Sequence, residues 1–327
     1  MKTLFLTQTQ VKNLISPAEA NEAVEKAFEA FGKGQTQMPP KSYLFYTPFK
    51  GDLRTMPAYI ESIKATGVKI VNVHVNNNEK NLPTVMATIV LNDPETGFPI
   101  AIMDGTFLTA LRTGAAGAVA IKYLARENAE SIGFVGCGVQ AYTQIDLSVL
   151  MRKFKIIKAY DIDENRRNQF LHYVEKNHGL KPEGSNDIKI ACNADVVTTT
   201  TPVSTPIVKN EWIKAGTHIN AIGADAPGKQ ELESAILLRS KIIVDNWDQA
   251  SHSGEINVPL EKNVIARENI YGELGTIVAG LMPGRTSNDE ITVFDSTGLA
   301  VQDIAVAKKV YERALIQNLG ISLEILK

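Results

Sequence analysis

Gly136, Gly138 and Ala141 follow the short apolar run Ser131-Ile132-Gly133-Phe134-Val135 at the spacing GxGxxA. The run predicts a buried strand, the glycines a tight turn, and Val139 onward a helix. Gly136 permits the turn, Gly138 lets backbone approach an anion, and Ala141 lets helix pack on strand. Free N–H groups and the positive end of the helix dipole then favour a pyrophosphate. Taken alone, the pattern fits a ligand-free turn equally well. The next strand adds weight. Lys155–Tyr160 predicts it, and Asp161 follows Gly136 by about 25 residues, near the spacing of an acidic group that accepts ribose hydroxyls. A carboxylate there repels a ribose 2′-phosphate, so NAD is expected rather than NADP. Arg166 and Arg167 stand close enough to keep NADP open.

Other residues offer chemistry away from the turn. Arg54 lies in Leu53-Arg54-Thr55-Met56-Pro57 and Lys69 in Gly67-Val68-Lys69-Ile70-Val71, both in strand-like apolar surroundings. A solvated outer face of an antiparallel sheet would account for such cations. A guanidinium is also a fork for a carboxylate, and a dehydrated lysine beside other cations is a base near neutrality. Arg112, in Leu108-Thr109-Ala110-Leu111-Arg112-Thr113-Gly114, is either a surface charge or a fork for phosphate or carboxylate. Three predicted strand ends carry polar residues that core packing does not require: Thr199-Thr200-Thr201-Pro202, Ala221 to Lys229, and Asp295-Ser296-Thr297-Gly298. In the second, Gly223, Pro227 and Gly228 hold a loop that presents Asp225 and Lys229, although turn capping is the commoner fate of such an aspartate. The histidines show neither HxxxH nor HExxH spacing, so no metal is expected. His172, His178, His218 and His252 read as surface or packing residues, and His74 stands out by following Lys69.

These residues need elements to hold them. Ser16-Pro17-Ala18-Glu19 is a helix start with a serine cap, a proline in the first turn and a capping-box glutamate. From Ser42 to Met103 the period becomes strand-like, in segments Tyr43–Tyr46, Leu53–Ile60, Gly67–Val75, Val85–Leu91 and Ile100–Met103. The turn Asn92–Gly97 makes the last two a hairpin, so this half predicts a largely antiparallel sheet. Thr106–Leu124 predicts a helix rich in small residues. Beyond Asp161, the helix Glu164–Asn177 and strands at Asp195–Thr200, Thr217–Ile222, Lys241–Asp245 and Ile291–Phe294 alternate as in a parallel doubly wound sheet. The last helix, with Leu299, Ile304, Val306, Val310 and Leu315, is expected to return to the N-terminal half.

The chain of 327 residues has a net charge of −2, which gives no electrostatic case for nucleic acid or an anionic membrane surface. Two cysteines, Cys137 and Cys192, cannot build a disulfide framework and suit a reducing compartment. Met1–Thr7 has too short an apolar core for a secretory signal, and no run reaches membrane-spanning length. The cytoplasm is the expected location.

Several blocks together resemble the ornithine cyclodeaminase/mu-crystallin family: Leu82-Pro83-Thr84-Val85-Met86-Ala87, Thr109 to Ala116, the Gly136–Ala141 turn, Asn220 to Lys229, and Thr292-Val293-Phe294-Asp295-Ser296-Thr297-Gly298. Within it they are most similar to the archaeal-type alanine dehydrogenase branch. The cyclodeaminase pattern has a glutamate before Met-Pro where this chain has Arg54. The resemblance implies an α/β fold: a central Rossmann-type NAD-binding domain over 113–301, and an α+β substrate and dimerisation domain from 1–112 with 302–327. It implies a homodimer paired through N-terminal halves. It implies a cofactor site at Arg112, Thr113, Gly138, Val139, Asp161, Thr200, Lys229 and Ser296, to which Gly136, Gln140, Ile162, Ala221, Ile222 and Gly223 are added from the turn and strand ends. The implied substrate site is Arg54, Lys69 and Asp225, with Arg112 as a further candidate. The expected activity is NAD-dependent oxidation of alanine or another small L-amino acid to its 2-oxo acid and ammonia, and the reverse. Alternatives are ornithine cyclisation to proline with NAD recycled, ketimine reduction, and nucleotide-bound small-ligand carriage. Lys69 is the first candidate for acid/base work and Asp225 the second. Relatives often have Pro-Gly after the histidine equivalent to His74; here Val75 and Asn76 follow, so that loop is expected to differ.

Overall fold

The alternation of side chains along two long strands explains how the cations of the N-terminal half are held. In Gly51–Ile60 the buried positions are Arg54, Met56, Ala58 and Ile60; in Ala65–His74 they are Ala65, Gly67, Lys69 and Val71. The strands pair antiparallel with Met56 opposite Lys69 and Arg54 opposite Val71. Both cations therefore share the core face, because strand residues two apart point the same way. The solvated-face account fails for both.

The computed structural model describes residues 1–326. It divides into two compact units, one built from Met1–Arg112 and the chain from Leu299 onward, the other from Thr113–Gly298. In the first unit the strand order is Ile321–Leu323, Thr3–Leu6, Pro99–Asp104, Val85–Asn92, Ala65–His74, Gly51–Ile60 and Thr36–Gln37, with Ser42–Tyr46 also on Gly51–Ile60. Neighbours are antiparallel except Thr3–Leu6 beside Pro99–Asp104, which run parallel. The helices Pro17–Gly32 and Ala300–Gln317 pack on one another, and the second also packs on three of the long strands. The final helix thus returns to the N-terminal half as expected. Ser16 starts Pro17–Gly32 with a complete capping box, Glu19 Oε2 accepting from the Ser16 N–H at 2.9 Å.

The second unit is an all-parallel sheet in the order Lys181–Gly184, Ile156–Tyr160, Ser131–Val135, Val196–Thr199, His218–Ala221, Thr292–Asp295, Lys241–Val244 and Ile270–Glu273. Apolar clusters cover both faces. Ile132, Phe134, Ile157 and Phe170 pack in one, and Val135, Val197, Ile219 and Val293 in the other. Burial on both faces is what a doubly wound sheet requires. Strand order reverses at Ser131–Val135, whose neighbours are the next two major strands on either side, and the crevice at such a switch point is where ligands bind. The helix Thr106–Leu124 lies close to its neighbours because a Cβ on Gly114 would come within 2.5 Å of the Thr143 carbonyl. Among the described residues no helix is long and apolar enough to cross a membrane.

Candidate active site

In the parallel unit the glycine turn is built as its sequence requires. Gly136 has a φ of +95°, the left-handed region that favours glycine, and a Cβ there would meet Thr201 and Thr200 at about 3 Å. Gly138 is the N-cap of the helix Val139–Ser148, caps it with no side chain, and has open space where a Cβ would stand. That is a cradle a dinucleotide phosphate fits. Asp161 is buried beside it. Its Oδ2 accepts from the Cys137 N–H at 2.7 Å and its Oδ1 from the Asp163 N–H at 2.9 Å, so the carboxylate also holds the turn. Arg166 Nη1 lies 3.9 Å from Asp161, whereas Arg167 is buried on Glu164 and Asn186. Val139 and Ile162 are strongly exposed apolar side chains at this edge, Ile162 at 92%.

Successive strand ends are tied one step past the sheet. Gly136 N–H donates to Tyr160 O, Thr200 N–H to Val135 O, Ile222 N–H to Thr199 O, and Ser296 N–H to Ala221 O, at 2.9–3.0 Å. The predicted cofactor residues Gly136, Thr200, Ala221, Ile222, Gly223 and Ser296 thus emerge along one edge. Ser296 Oγ is buried with no partner among the described residues, an orphaned polar atom that a ligand group would satisfy. Thr113 is buried and its carbonyl accepts from Gln144 Nε2, while Gln140 Oε1 faces Thr143 Oγ1. Asp225 is paired with Lys229, Oδ1 to Nζ at 2.6 Å, in the loop beyond His218–Ala221.

The first unit assembles a separate charged cluster. Lys69 Nζ lies 2.8 Å from Asp303 Oδ2, and Arg112 Nε donates to Asp303 Oδ1 at 3.0 Å. Arg112 Nη1 also donates to Gln302 Oε1 at 3.1 Å. Lys69 is 1% exposed and Asp303 fully buried. Burial drives the Lys69 ammonium down, the Arg112 guanidinium pushes the same way, Asp303 opposes in part, and Lys41 adds repulsion; the amine titrates at about 7. Arg54 sits on the same sheet face. Its Nε and Nη2 form a fork on Asp52 at 2.9 and 3.1 Å, and its guanidinium lies 5.5 Å from the Tyr43 ring centroid. His74 stacks on Tyr46, which accounts for it by packing. Val75 and Asn76 form a turn leading into Asn77–Lys80.

The model of the ornithine cyclodeaminase/mu-crystallin family matches residues 1–318. The chain belongs to that family. The alanine dehydrogenase of Archaeoglobus fulgidus is 53% identical over 322 residues, covering 98% of each chain. The solved structure of an archaeal alanine dehydrogenase dimer with bound NAD superposes with a TM-score of 0.97 at 51% identity, covering 100% of both chains. The Thermococcus litoralis Delta(1)-pyrroline-2-carboxylate reductase, solved with NADH and L-proline, gives 0.95 at 38% identity, covering 98% of this chain and 100% of its own. The family and the Rossmann-type α/β fold implied by the sequence blocks are those found.

Within this family member, sequence reasoning missed Asp303, Gln302, Lys41, Glu231 and Glu255. Asp303 gave no distinct signal, standing beside Gln302 in the mostly apolar Val301–Ala307 stretch. Among the described residues, no cluster of three His, Cys, Asp or Glu could hold a metal.

Proposed function

We propose that the protein is an NAD-dependent alanine dehydrogenase, oxidising L-alanine or another small L-amino acid to the 2-oxo acid and ammonia and running the reverse reductive amination. The observation that carries this is Lys69, a buried amine that shares the Asp303 carboxylate with Arg112 and titrates at about 7. Such a group takes and returns protons at neutral pH. The family match and the 53% identity to an alanine dehydrogenase support the substrate class.

Arg54 binds the substrate carboxylate, exchanging part of its fork on Asp52 for the ligand. Lys69 Nζ takes the proton of the substrate ammonium, which must be lost before Cα can be oxidised. NAD, when bound, accepts the hydride from Cα. Lys69 then passes that proton to solvent, water adds to the iminium carbon, and Lys69 takes a proton from the adding water and delivers it to the carbinolamine nitrogen. Ammonia leaves as the remaining hydroxyl proton is lost and the 2-oxo acid forms. Asp303 fixes the position of Lys69, and Asp225 is a second proton acceptor. Gly136, Gly138, Val139, Gln140, Asp161, Ile162, Thr200 and Ser296 hold the dinucleotide, Asp161 through the ribose hydroxyls. The protein acts as a homodimer, supported by the dimeric archaeal neighbour and by the exposed apolar Leu44, Phe45 and Phe49 beside the Gly51–Ile60 strand. A cytoplasmic location suits its two free, buried thiols.

Purified protein with NAD and a panel of small L-amino acids should form NADH fastest with alanine; no turnover of alanine overturns the proposal. The Delta(1)-pyrroline-2-carboxylate reductase neighbour favours a second reading, reduction of a cyclic imino acid. Faster NADH oxidation with 1-pyrroline-2-carboxylate than with pyruvate and ammonia would select it.

A further inference from the structure

Four carboxylates that the mechanism does not use lie fully buried in the parallel unit: Glu231, Glu255, Asp245 and Asp295. Glu231 has an arrangement of its own. Oε1 accepts from the Thr201 N–H and Oγ–H, both at 2.6 Å, and Oε2 accepts from Thr199 Oγ1 at 2.7 Å and the Gly223 N–H at 2.8 Å. One carboxylate therefore ties the exit of Val196–Thr199 to the exit of His218–Ala221. Gly223 is seated against both, since a Cβ there would stand 2.2 Å from the Thr201 carbonyl oxygen and 2.7 Å from Glu231 Cδ. Glu255 holds Glu231 from behind, its carboxylate accepting from the Glu231 N–H at 2.9 and 3.0 Å and from the Leu232 N–H at 2.6 Å. Between the two tied threonines, Thr200 Oγ1 donates to the Gly136 carbonyl at 3.0 Å. A continuous path runs from Glu255 through Glu231 and Thr200 to the cofactor turn.

We propose that Glu231 is a positioning residue for the cofactor, setting the Thr199–Thr201 and Ile222–Gly223 loops, and through Thr200 the Gly136 turn, at the level the dinucleotide requires. This rests on the NAD-dependent reading above but not on the identity of the amino acid. The chemistry demands a carboxyl group. Each of its oxygens faces a backbone N–H, which can only donate, so both oxygens must accept. An amide cannot do this. Whichever way Glu231→Gln turns, its NH2 meets the N–H of Thr201 or of Gly223 in a site closed to water.

The test is calorimetric titration of NAD, without amino acid, into the wild-type protein, Glu231→Gln and Thr201→Val, with Tm measured in parallel. Glu231→Gln is expected to bind NAD about 10- to 100-fold more weakly, and Thr201→Val, which loses only a hydroxyl donor, about threefold more weakly. In steady-state assays the KM for NAD should rise in the same proportion while the KM for the amino acid stays within about twofold of wild type. A lowered Tm with unchanged NAD affinity would reduce Glu231 to a structural brace and overturn the proposal. Should Glu231→Gln fail to fold, Thr201→Val decides it by the same readout, unchanged affinity being the refuting result. If the wild-type protein binds NAD but turns over no amino acid, the dehydrogenase reading falls while the affinity comparison still reads the positioning role.

Discussion

Replacing Asp303 by asparagine removes one negative charge and little volume, and the structure says which way activity must move. Asp303 Oδ2 is 2.8 Å from Lys69 Nζ and favours the ammonium; Arg112 and burial oppose it. With an effective dielectric of about 20, Coulomb's law at that distance gives a ceiling of ~6 kcal/mol for the lost attraction. Arg112 uses the same carboxylate and rearranges when the charge goes, so about a third of this, ~2 kcal/mol, is expected to be realised. That lowers the Lys69 pKa by ~1.5, from about 7 toward ~5.5. A lysine acting as base is active only when neutral. The wild-type profile of kcat/KM for amino-acid oxidation should therefore fall on the acid side with a midpoint near 7, and the Asp303→Asn midpoint should lie about 1.5 pH units lower. The plateau should also drop about tenfold, since a weaker base transfers protons less readily. Leaving the Arg112 charge without its partner costs stability of roughly 3–5 kcal/mol, visible as a lower Tm. The assay is NADH formation across pH 5–9 at saturating cofactor. An acid limb that stays in place, or moves to higher pH, would refute the assignment of that limb to Lys69.

Other outcomes follow from the same geometry. Arg54→Lys replaces a planar fork by a point charge and should raise the amino-acid KM about 10- to 100-fold while leaving NAD affinity unchanged, as steady-state and binding measurements would show. Asp161→Asn should cut the kcat/KM preference for NAD over NADP about tenfold or more, because the charge that repels a 2′-phosphate is gone; an unchanged ratio would contradict the ribose role. Asp225→Asn should alter the pH–rate profile if Asp225 shares proton transfer, and an unchanged profile would remove it from the scheme. Stability has its own pH signature. Lys69 titrates lower in the folded protein than in the unfolded chain, so stability rises with pH from about 7 toward the ordinary lysine range and is lost as pH falls through 7. Lys69→Met should flatten that rise in denaturant midpoints measured at pH 7 and 9.

Legibility followed the range of the interactions involved. The glycine turn and Asp161 could be read from sequence because strand, turn and following strand form one local unit, and the structure adds only that Asp161 also clamps the Cys137 N–H. The buried faces of Arg54 and Lys69 were encoded too: Ala65, Gly67, Lys69 and Val71 share one parity, and so do Arg54, Met56, Ala58 and Ile60. Reading each cation alone, rather than the parity of its strand, leaves a solvated face open. Asp303 was not legible. Ala300 through Ala307 are buried on every side, so the helix shows no polar stripe from which an inward acid would stand out. Glu231 was silent for another reason, since its partners at Thr199 and Thr201 lie some thirty residues away. The edge strand Lys181–Gly184 escaped likewise. Lys181-Pro182-Glu183-Gly184 has no strand propensity, and it is tolerated because it forms the sheet's edge, where a proline leaves no ladder bond unmade.

Charge balance explains why the lysine, and not another member of its cluster, gives up its proton. Arg54 is paired with Asp52 and Lys229 with Asp225. Lys69, Arg112 and Asp303 are two cations on one carboxylate, all nearly or fully shut from water. A buried cluster carrying a net charge is costly, and the cheapest relief is to lose a proton from whichever base releases it most easily. Arginine does not deprotonate in a protein, and lysine does. The neutral form of the cluster is therefore Arg112 charged, Asp303 charged and Lys69 free. An arginine at position 69 would keep the excess charge, and a leucine at position 112 would remove it and return Lys69 toward an ordinary, protonated amine. The pairing of one arginine with one lysine on a single aspartate is thus what makes a base at neutral pH.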